Sequence, residues 1–333
     1  MRSKLVPSLC LSGTRSDVLR MLMAGVMCAS MGLASAPSMA EEVQIPGPAG
    51  PLSAEALAVP GAAHAVVIIP GSGPIDRDGN APVMGLKSDA YRQLAEQLGE
   101  AGIASLRVDK RGFFGSEKAI SDPNQVTIAE YAADARGWAA KARTLAPCVW
   151  LAGHSEGGLV ALVAATQAPD EICGIILMAA PGRPVGKLLV EQMESNPATA
   201  ALAPQIREIV ADLEAGKPRD PQTIPAALQP MFTPGLQRFM MDLFSYDPAA
   251  LAGKWKGPAL ILQGDHDMQV KTQDADLLAA AMPQAQKHML PGATHMLKPD
   301  QPGQPFATYV NPALPLDAAV VPTIAGFVKA GRP

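Results

Sequence analysis

Residues 148–158 read CVWLAGHSEGG, and this stretch constrains the fold more than any other. A short apolar run passes directly into Gly153-His154-Ser155-Glu156-Gly157, and a segment of small residues follows. A serine flanked by glycines two positions to either side, where a strand turns sharply into a helix, is the pattern of a nucleophile elbow. The tight turn leaves no room for a Cβ at either glycine. The turn lifts the Ser155 hydroxyl above the sheet edge, and the helix behind it aims unpaired N–H groups and its positive dipole end at any oxyanion forming there.

The rest of the chain alternates in the way such a turn requires. Residues 65–70 form a short apolar strand, residues 88–101 carry Tyr91, Leu94, Ala95 and Leu98 at helical spacing, and residues 103–108 are a strand again. Thr127 and Glu130 make a capping box for a helix with Ile128, Tyr131, Ala135, Trp138, Ala142 and Leu145 on one face. Apolar strands are expected at 174–179 and 259–263, and a helix near 275–281 separates the latter from a strand at 288–290. Repeated β-α-β units predict a parallel sheet covered on both faces. With no internal repeat or linker, the 333 residues read as one domain, and 48% hydrophobic content supplies ample core.

Between Arg183 and Lys254 the alternation stops. That segment reads as helices only, at 188–194, 202–213 (ending at Gly216) and 236–244, punctuated by prolines. It is expected to be a helical cap inserted into a core of residues 41–182 and 255–333. Its Met193, Met231, Met240, Met241, Phe232, Phe239 and Phe244 either line an adaptable acyl pocket, for which Met240, Met241 and Phe244 are the chosen candidates, or glue cap to body.

The first forty residues are set apart. Arg2, Lys4, Arg15 and Arg20 form a basic lead, residues 21–40 carry no charge, and Ser38-Met39-Ala40 presents small residues where a signal peptidase cuts before Glu41. Residues 1–40 are expected to be a signal peptide and the mature chain to be exported, periplasmic or secreted, without stable membrane insertion. Removing this segment of net +3 takes the formal charge from −4 to −7. An acidic chain without basic clusters is a poor partner for nucleic acid or anionic membrane.

A serine at an elbow needs a base, and a histidine neutral near pH 7 is the usual one. Of five histidines, His64 precedes the first loop, His154 is locked in the elbow, and His266 and His288 sit beside or within strands. His295, in the loop GATHM (292–296) beyond the last strand, is the expected partner. The acid comes from QGDHDMQV (263–270), immediately beyond a buried strand, where a carboxylate can hold the imidazole tautomer. Asp267, farther into the loop, is preferred, and Asp265, directly after the turn glycine, is left to pin the loop. After the strand at 65–70, the turn at Pro70-Gly71-Ser72-Gly73 lets backbone approach a ligand, so the N–H of Ser72 can meet that of Glu156 as an oxyanion hole.

Together with the elbow, PGSGPIDRDGN (70–80), RVDKRGFFGS (107–116) and GATH (292–295) resemble the α/β-hydrolase superfamily over nearly all of the mature chain. The string G-S-G-P-x-D-R-D is similar to that of capped serine carboxylesterases and related peptidase-like hydrolases. The resemblance implies an α/β-hydrolase fold, with a mostly parallel eight-stranded sheet flanked by helices and a helical cap, and a triad of Ser155, Asp267 and His295 in that chain order. It also implies that residues 109–116 are a structural loop at the rim. No chemistry is assigned to that loop, and Phe113 is expected to narrow the entrance. Asp76, Arg77 and Asp78 either clamp a loop or read a polar leaving group, and the clamp is preferred.

Neither a paired-cysteine or H-E-x-x-H metal motif nor a phosphate-binding glycine loop occurs, so no metal and no cofactor are expected. The expected activity is hydrolysis of a small acyl ester through an acyl-enzyme, with thioester or small-peptide hydrolysis as the alternative on the same machinery. A noncatalytic ligand-binding homologue is the alternative of another class. The two mature cysteines, Cys148 and Cys173, start neighbouring strands, and both a disulfide and a pair of buried thiols remain open.

Overall fold

The apolar runs at 64–69, 104–108, 148–154, 174–178 and 259–264 become strands buried on both faces. The computed structural model describes residues 39–331, so the expected leader lies outside the described residues except for its last two positions. The strands are β1 (Met39–Ile45), β2 (Leu52–Ala58), β3 (His64–Ile69), β4 (Ala104–Val108), β5 (Cys148–His154), β6 (Gly174–Met178), β7 (Ala259–Gly264) and β8 (Gln286–Leu290). They form one eight-stranded sheet in the spatial order β1-β2-β4-β3-β5-β6-β7-β8. β2 runs antiparallel to both neighbours, and all remaining pairs are parallel.

Along β3 the side chains alternate between two cores, as the period of a strand requires. Ala65, Val67 and Ile69 join one cluster, and Val66 and Ile68 join the other. The first is closed by α2 (Ile128–Ala142), α3 (Glu156–Gln167) and α8 (Thr272–Ala281), the second by α1 (Ala90–Glu100) and α10 (Val320–Ala330). The capping box at the start of α2 is formed, with Glu130 N–H donating to Thr127 Oγ1 and Thr127 N–H to Glu130 Oε2. Between β6 and β7 the segment is helical only: α4 (Val185–Ser195), α5 (Ala203–Glu214), α6 (Pro234–Phe244) and the short α7 (Pro248–Ala252). A single-turn α9 (Ala307–Val310) lies between β8 and α10.

Register places the functional loops. Ile69 pairs with Gly153, so the loops after β3 and β5 leave the sheet side by side. Leu290 pairs with Gly264, so the loops after β7 and β8 also emerge together. At the opposite end of β5, Cys148 is joined to Cys173 in a disulfide, with Cα atoms 5.7 Å apart.

Candidate active site

The elbow is built by close packing of backbone on backbone. A Cβ on Gly153 would stand 2.0 Å from Gly157 O, and one on Gly157 would stand 2.3 Å from Ile69 O, so no side chain fits at either position. Ser155 takes the turn itself, at φ 53° and ψ −124°. A non-glycine residue in this region is strained and persists only where its surroundings enforce it. α3 starts at the next residue, so the Glu156 N–H is among the first four of the helix that find no partner within it.

The loop after β3 runs against this turn. A Cβ on Gly71 would lie 3.2 Å from Ser155 Cβ. Ser72, Ser155, Glu156 and His295 line one cavity of about 900 Å³. Among the described residues the Ser72 N–H has no acceptor.

His295 stands on the loop after β8, and its Nδ1 lies 2.8 Å from Asp267 Oδ2. A carboxylate only accepts, so Nδ1 carries the proton and Nε2 of the neutral ring is the free base. Both side chains are buried. Burial by itself would raise the Asp267 carboxyl, but His295 and the amides of Val270 and Gln269 outweigh it and hold the group below its ordinary value. Those amides bond Asp267 Oδ1 at 3.0 and 2.7 Å, and Gln263 Nε2 donates to Oδ2 at 3.1 Å. Asp265 instead accepts the Gly292 N–H at 2.6 Å, which ties the loop after β7 to the histidine loop.

Three residues that the sequence left without a role complete the site. His154 is buried, with Nε2 2.8 Å from the carbonyl of His295 and Nδ1 2.8 Å from Tyr91 Oη. A carbonyl cannot donate, so His154 Nε2 holds the proton, Nδ1 accepts from Tyr91, and Tyr91 Oη in turn accepts the Gly71 N–H at 3.2 Å. Burial, helped by nearby His295, pushes His154 down to about 3, so the ring is neutral. Lys110 is the third: its Nζ donates to Gly71 O at 2.6 Å and lies 3.2 Å from Glu156 Oε1. A phenol at an apolar helix position and a charged residue beside a buried turn both demand partners, which is the signal a sequence reading can use.

The acidic and basic residues after the turn at 70–73 form a clamp. Arg77 bonds Asp109 through its backbone N–H, Nε and Nη2, Asp78 pairs with Arg107, and Asp76 Oδ1 accepts the N–H groups of Asp78 and Asn80.

From the helical segment, Met231, Phe239, Met240 and Phe244 face the cavity with Leu188 and Leu243, and Phe113 also lines it. Met241 does not. It packs against the core on another side of α6, because adjacent helical positions point about 100° apart. Met193 and Phe232 are likewise core residues. Among the described residues no group of three His, Cys, Asp or Glu side chains could hold a metal ion.

A family model described as serine aminopeptidase, S33, matches residues 84–302. The chain belongs to this α/β-hydrolase family. Over 216 residues, 64% of its length, it is 28% identical to Esterase EstD from Thermotoga maritima, of which it spans about half, 48%. Its fold is similar to that of Est1E from Butyrivibrio proteoclasticus, solved with ferulic acid bound, at 19% identity and TM-score 0.56, covering 87% of this chain and 98% of that one. A thermophilic esterase from Thermogutta terrifontis, solved with malate, aligns over the same shares at 19% identity and TM-score 0.54. The S33 family match thus spans the elbow, the acid loop and the histidine loop, while the turn at 70–73 lies ahead of it.

Proposed function

We propose that this S33-family chain is a serine hydrolase that cleaves small carboxylic esters through an acyl-enzyme. Ser155 attacks the ester carbonyl while His295 Nε2 takes its proton, and the tetrahedral oxyanion sits between the N–H groups of Ser72 and Glu156. Collapse expels the alcohol, which receives the proton from His295. Water, activated by the same histidine, then releases the acid and restores Ser155. Asp267 fixes the tautomer and stabilises the imidazolium. The observation that carries this reading is the 2.8 Å bond of Asp267 to His295, in a site whose cavity also receives the positive-φ Ser155.

The helical segment 183–254 is proposed as a cap over the core formed by 41–182 and 255–333, with Met240 and Phe244 in the acyl pocket. A mostly apolar wall suits an acyl or aryl ester, and the esterase names of the relatives support that class. The aminopeptidase description of the family favours small-peptide hydrolysis as the second reading. Labelling by a fluorophosphonate, followed by mapping of the modified residue, tests the reading. Stoichiometric label on Ser155 with turnover of p-nitrophenyl esters supports it. An unlabelled, inactive protein would leave a ligand-binding homologue. Parallel assays on ester, thioester and aminoacyl amide substrates separate the hydrolase readings.

Export is part of the proposal. Cleavage before Glu41 removes two residues of β1 and leaves residues 41–45 paired to β2. Among the described residues no helix is long and apolar enough to cross a membrane. N-terminal sequencing of the native protein is expected to begin at Glu41, and an intact leader on the native protein would refute this.

A further inference from the structure

Lys110 sits two residues beyond β4 in the stretch to which the sequence assigned no chemistry, yet its ammonium is buried at the back of the site, with the residue 6% exposed. It touches three groups: Gly71 O at 2.6 Å, Glu156 Oε1 at 3.2 Å and the face of the Tyr131 ring, whose centroid is 5.2 Å away. Both oxyanion donors of the proposed mechanism belong to this set. Glu156 provides one through its own N–H, and Gly71 O is the carbonyl end of the peptide whose other end is the Ser72 N–H.

In a trans peptide the C=O and N–H point in opposite directions. An ammonium that holds Gly71 O on one side therefore turns the Ser72 N–H to the other. A charge-assisted bond to the carbonyl also draws electron density from the amide and strengthens its N–H as a donor. The same ammonium answers the Glu156 carboxylate, which is buried one residue after the nucleophile and whose Oε2 has no partner among the described residues. Left uncompensated, that negative charge would oppose an oxyanion forming beside it. The Gly71 N–H is held separately, by Tyr91 Oη, so the two peptides of Gly71 are fixed from opposite sides.

We propose that Lys110 is the positioning residue of the oxyanion hole, orienting and polarising the Gly71–Ser72 peptide and cancelling the charge of Glu156. This rests on the serine-hydrolase reading above.

Lys110→Met alone strands a buried carboxylate and is prone to misfold, so the decisive comparison is made in a neutral background. Glu156→Gln, whatever its own rate, keeps Lys110 available to Gly71 O and serves as the reference. Lys110→Met/Glu156→Gln removes the ammonium with no charge left unpaired. Circular dichroism and thermal melting establish that both are folded. Relative to the reference, the double variant is expected to lose about 10- to 100-fold in kcat on a p-nitrophenyl ester, with KM changed less than about threefold. The inhibition constant of an alkyl trifluoromethyl ketone, whose hemiketal oxygen occupies the oxyanion site, should rise by a similar factor. A purely structural Lys110 would move stability and leave both ratios at one, which would overturn the proposal. Fluorophosphonate labelling of the wild type distinguishes the two levels. If Ser155 is labelled and the ratios stay at one, only the role of Lys110 fails. If Ser155 is not labelled, the hydrolase reading fails and this role falls with it.

Discussion

Tyr91 Oη lies 2.8 Å from Nδ1 of His154, and this bond joins parts of the chain that the elbow alone would not connect. Through it runs a directed series of hydrogen bonds from the Gly71 N–H to Tyr91, from Tyr91 to His154, and from His154 Nε2–H to the His295 carbonyl. Each donor in the series is fixed by the acceptor beyond it. The turn at 70–73, the elbow and the histidine loop are thus locked to one another by side chains that touch no substrate in the proposed mechanism.

Tyr91→Phe removes one hydroxyl and leaves two buried groups, Gly71 N–H and His154 Nδ1, without partners. Each unsatisfied group costs about 1–3 kcal/mol, so urea unfolding is expected to show a loss of roughly 2 kcal/mol or more. Because Gly71 precedes Ser72, the proposed oxyanion donor, kcat should fall by about tenfold with little change in KM. Unchanged stability and rate would mean that the series holds nothing in place.

His154 carries a pH signature. Its folded value of about 3 lies below the 6.5 of an ordinary histidine, so the unfolded chain binds the extra proton first as pH falls. Stability linked to this group is complete above pH 6.5 and is lost toward pH 3, at roughly 1.4 kcal/mol per pH unit. His154→Gln keeps a donor and an acceptor but does not titrate. Denaturant unfolding between pH 4 and 7 should show a steeper dependence in the wild type than in the variant, by about one proton. Equal slopes would mean that His154 is charged in the folded protein.

The division between what the residues announced and what they concealed follows the range of the interactions. Strand-to-helix alternation, the Thr127 cap and the Ser155 turn are local, and each appears where the sequence pattern places it. β1 and β2 are poorly legible because Leu52–Ala58 is rich in alanine rather than β-branched residues, and residues 46–51 are mostly proline and glycine. α10 carries a plain apolar run but no motif that ties it to the site. Asp265 and Asp267 are separable only through the third dimension, where one reaches an imidazole and the other a backbone amide. Lys110 and Tyr91 were the least legible, since each acts on Gly71 from tens of residues away in the chain.

Replacement of the proposed triad gives the most direct test of the site. Ser155→Ala and His295→Ala are each expected to lower ester turnover by on the order of 10⁴-fold or more while circular dichroism stays native. Asp267→Asn should cost on the order of 10³- to 10⁴-fold by disturbing the imidazole tautomer. Asp265→Asn retains an acceptor for Gly292 and should cost less than about tenfold. A larger loss from Asp265→Asn than from Asp267→Asn, with both proteins folded, would reverse the assignment of the acid.

The disulfide can be tested apart from catalysis. Cys148 and Cys173 are separated by 25 positions, and the loop they close contains Ser155, β5 and α3. Constraining a loop of this length lowers the entropy of the unfolded chain and stabilises the fold by about 3.5 kcal/mol in the chain-entropy model. Cys148 is packed in the core at the start of β5, whereas the elbow leaves from its other end, so the bond acts on the unfolded state more than on the site. Protein prepared under oxidising conditions, unfolded in guanidinium without reductant, should show no free thiol from these two residues, and two after reduction. Cys148→Ala/Cys173→Ala should melt several degrees lower while keeping kcat and KM within about twofold at 25 °C. Two free thiols before reduction would refute the bond. Loss of kcat in a folded double variant would instead mean that the closed loop also holds the elbow in its working geometry.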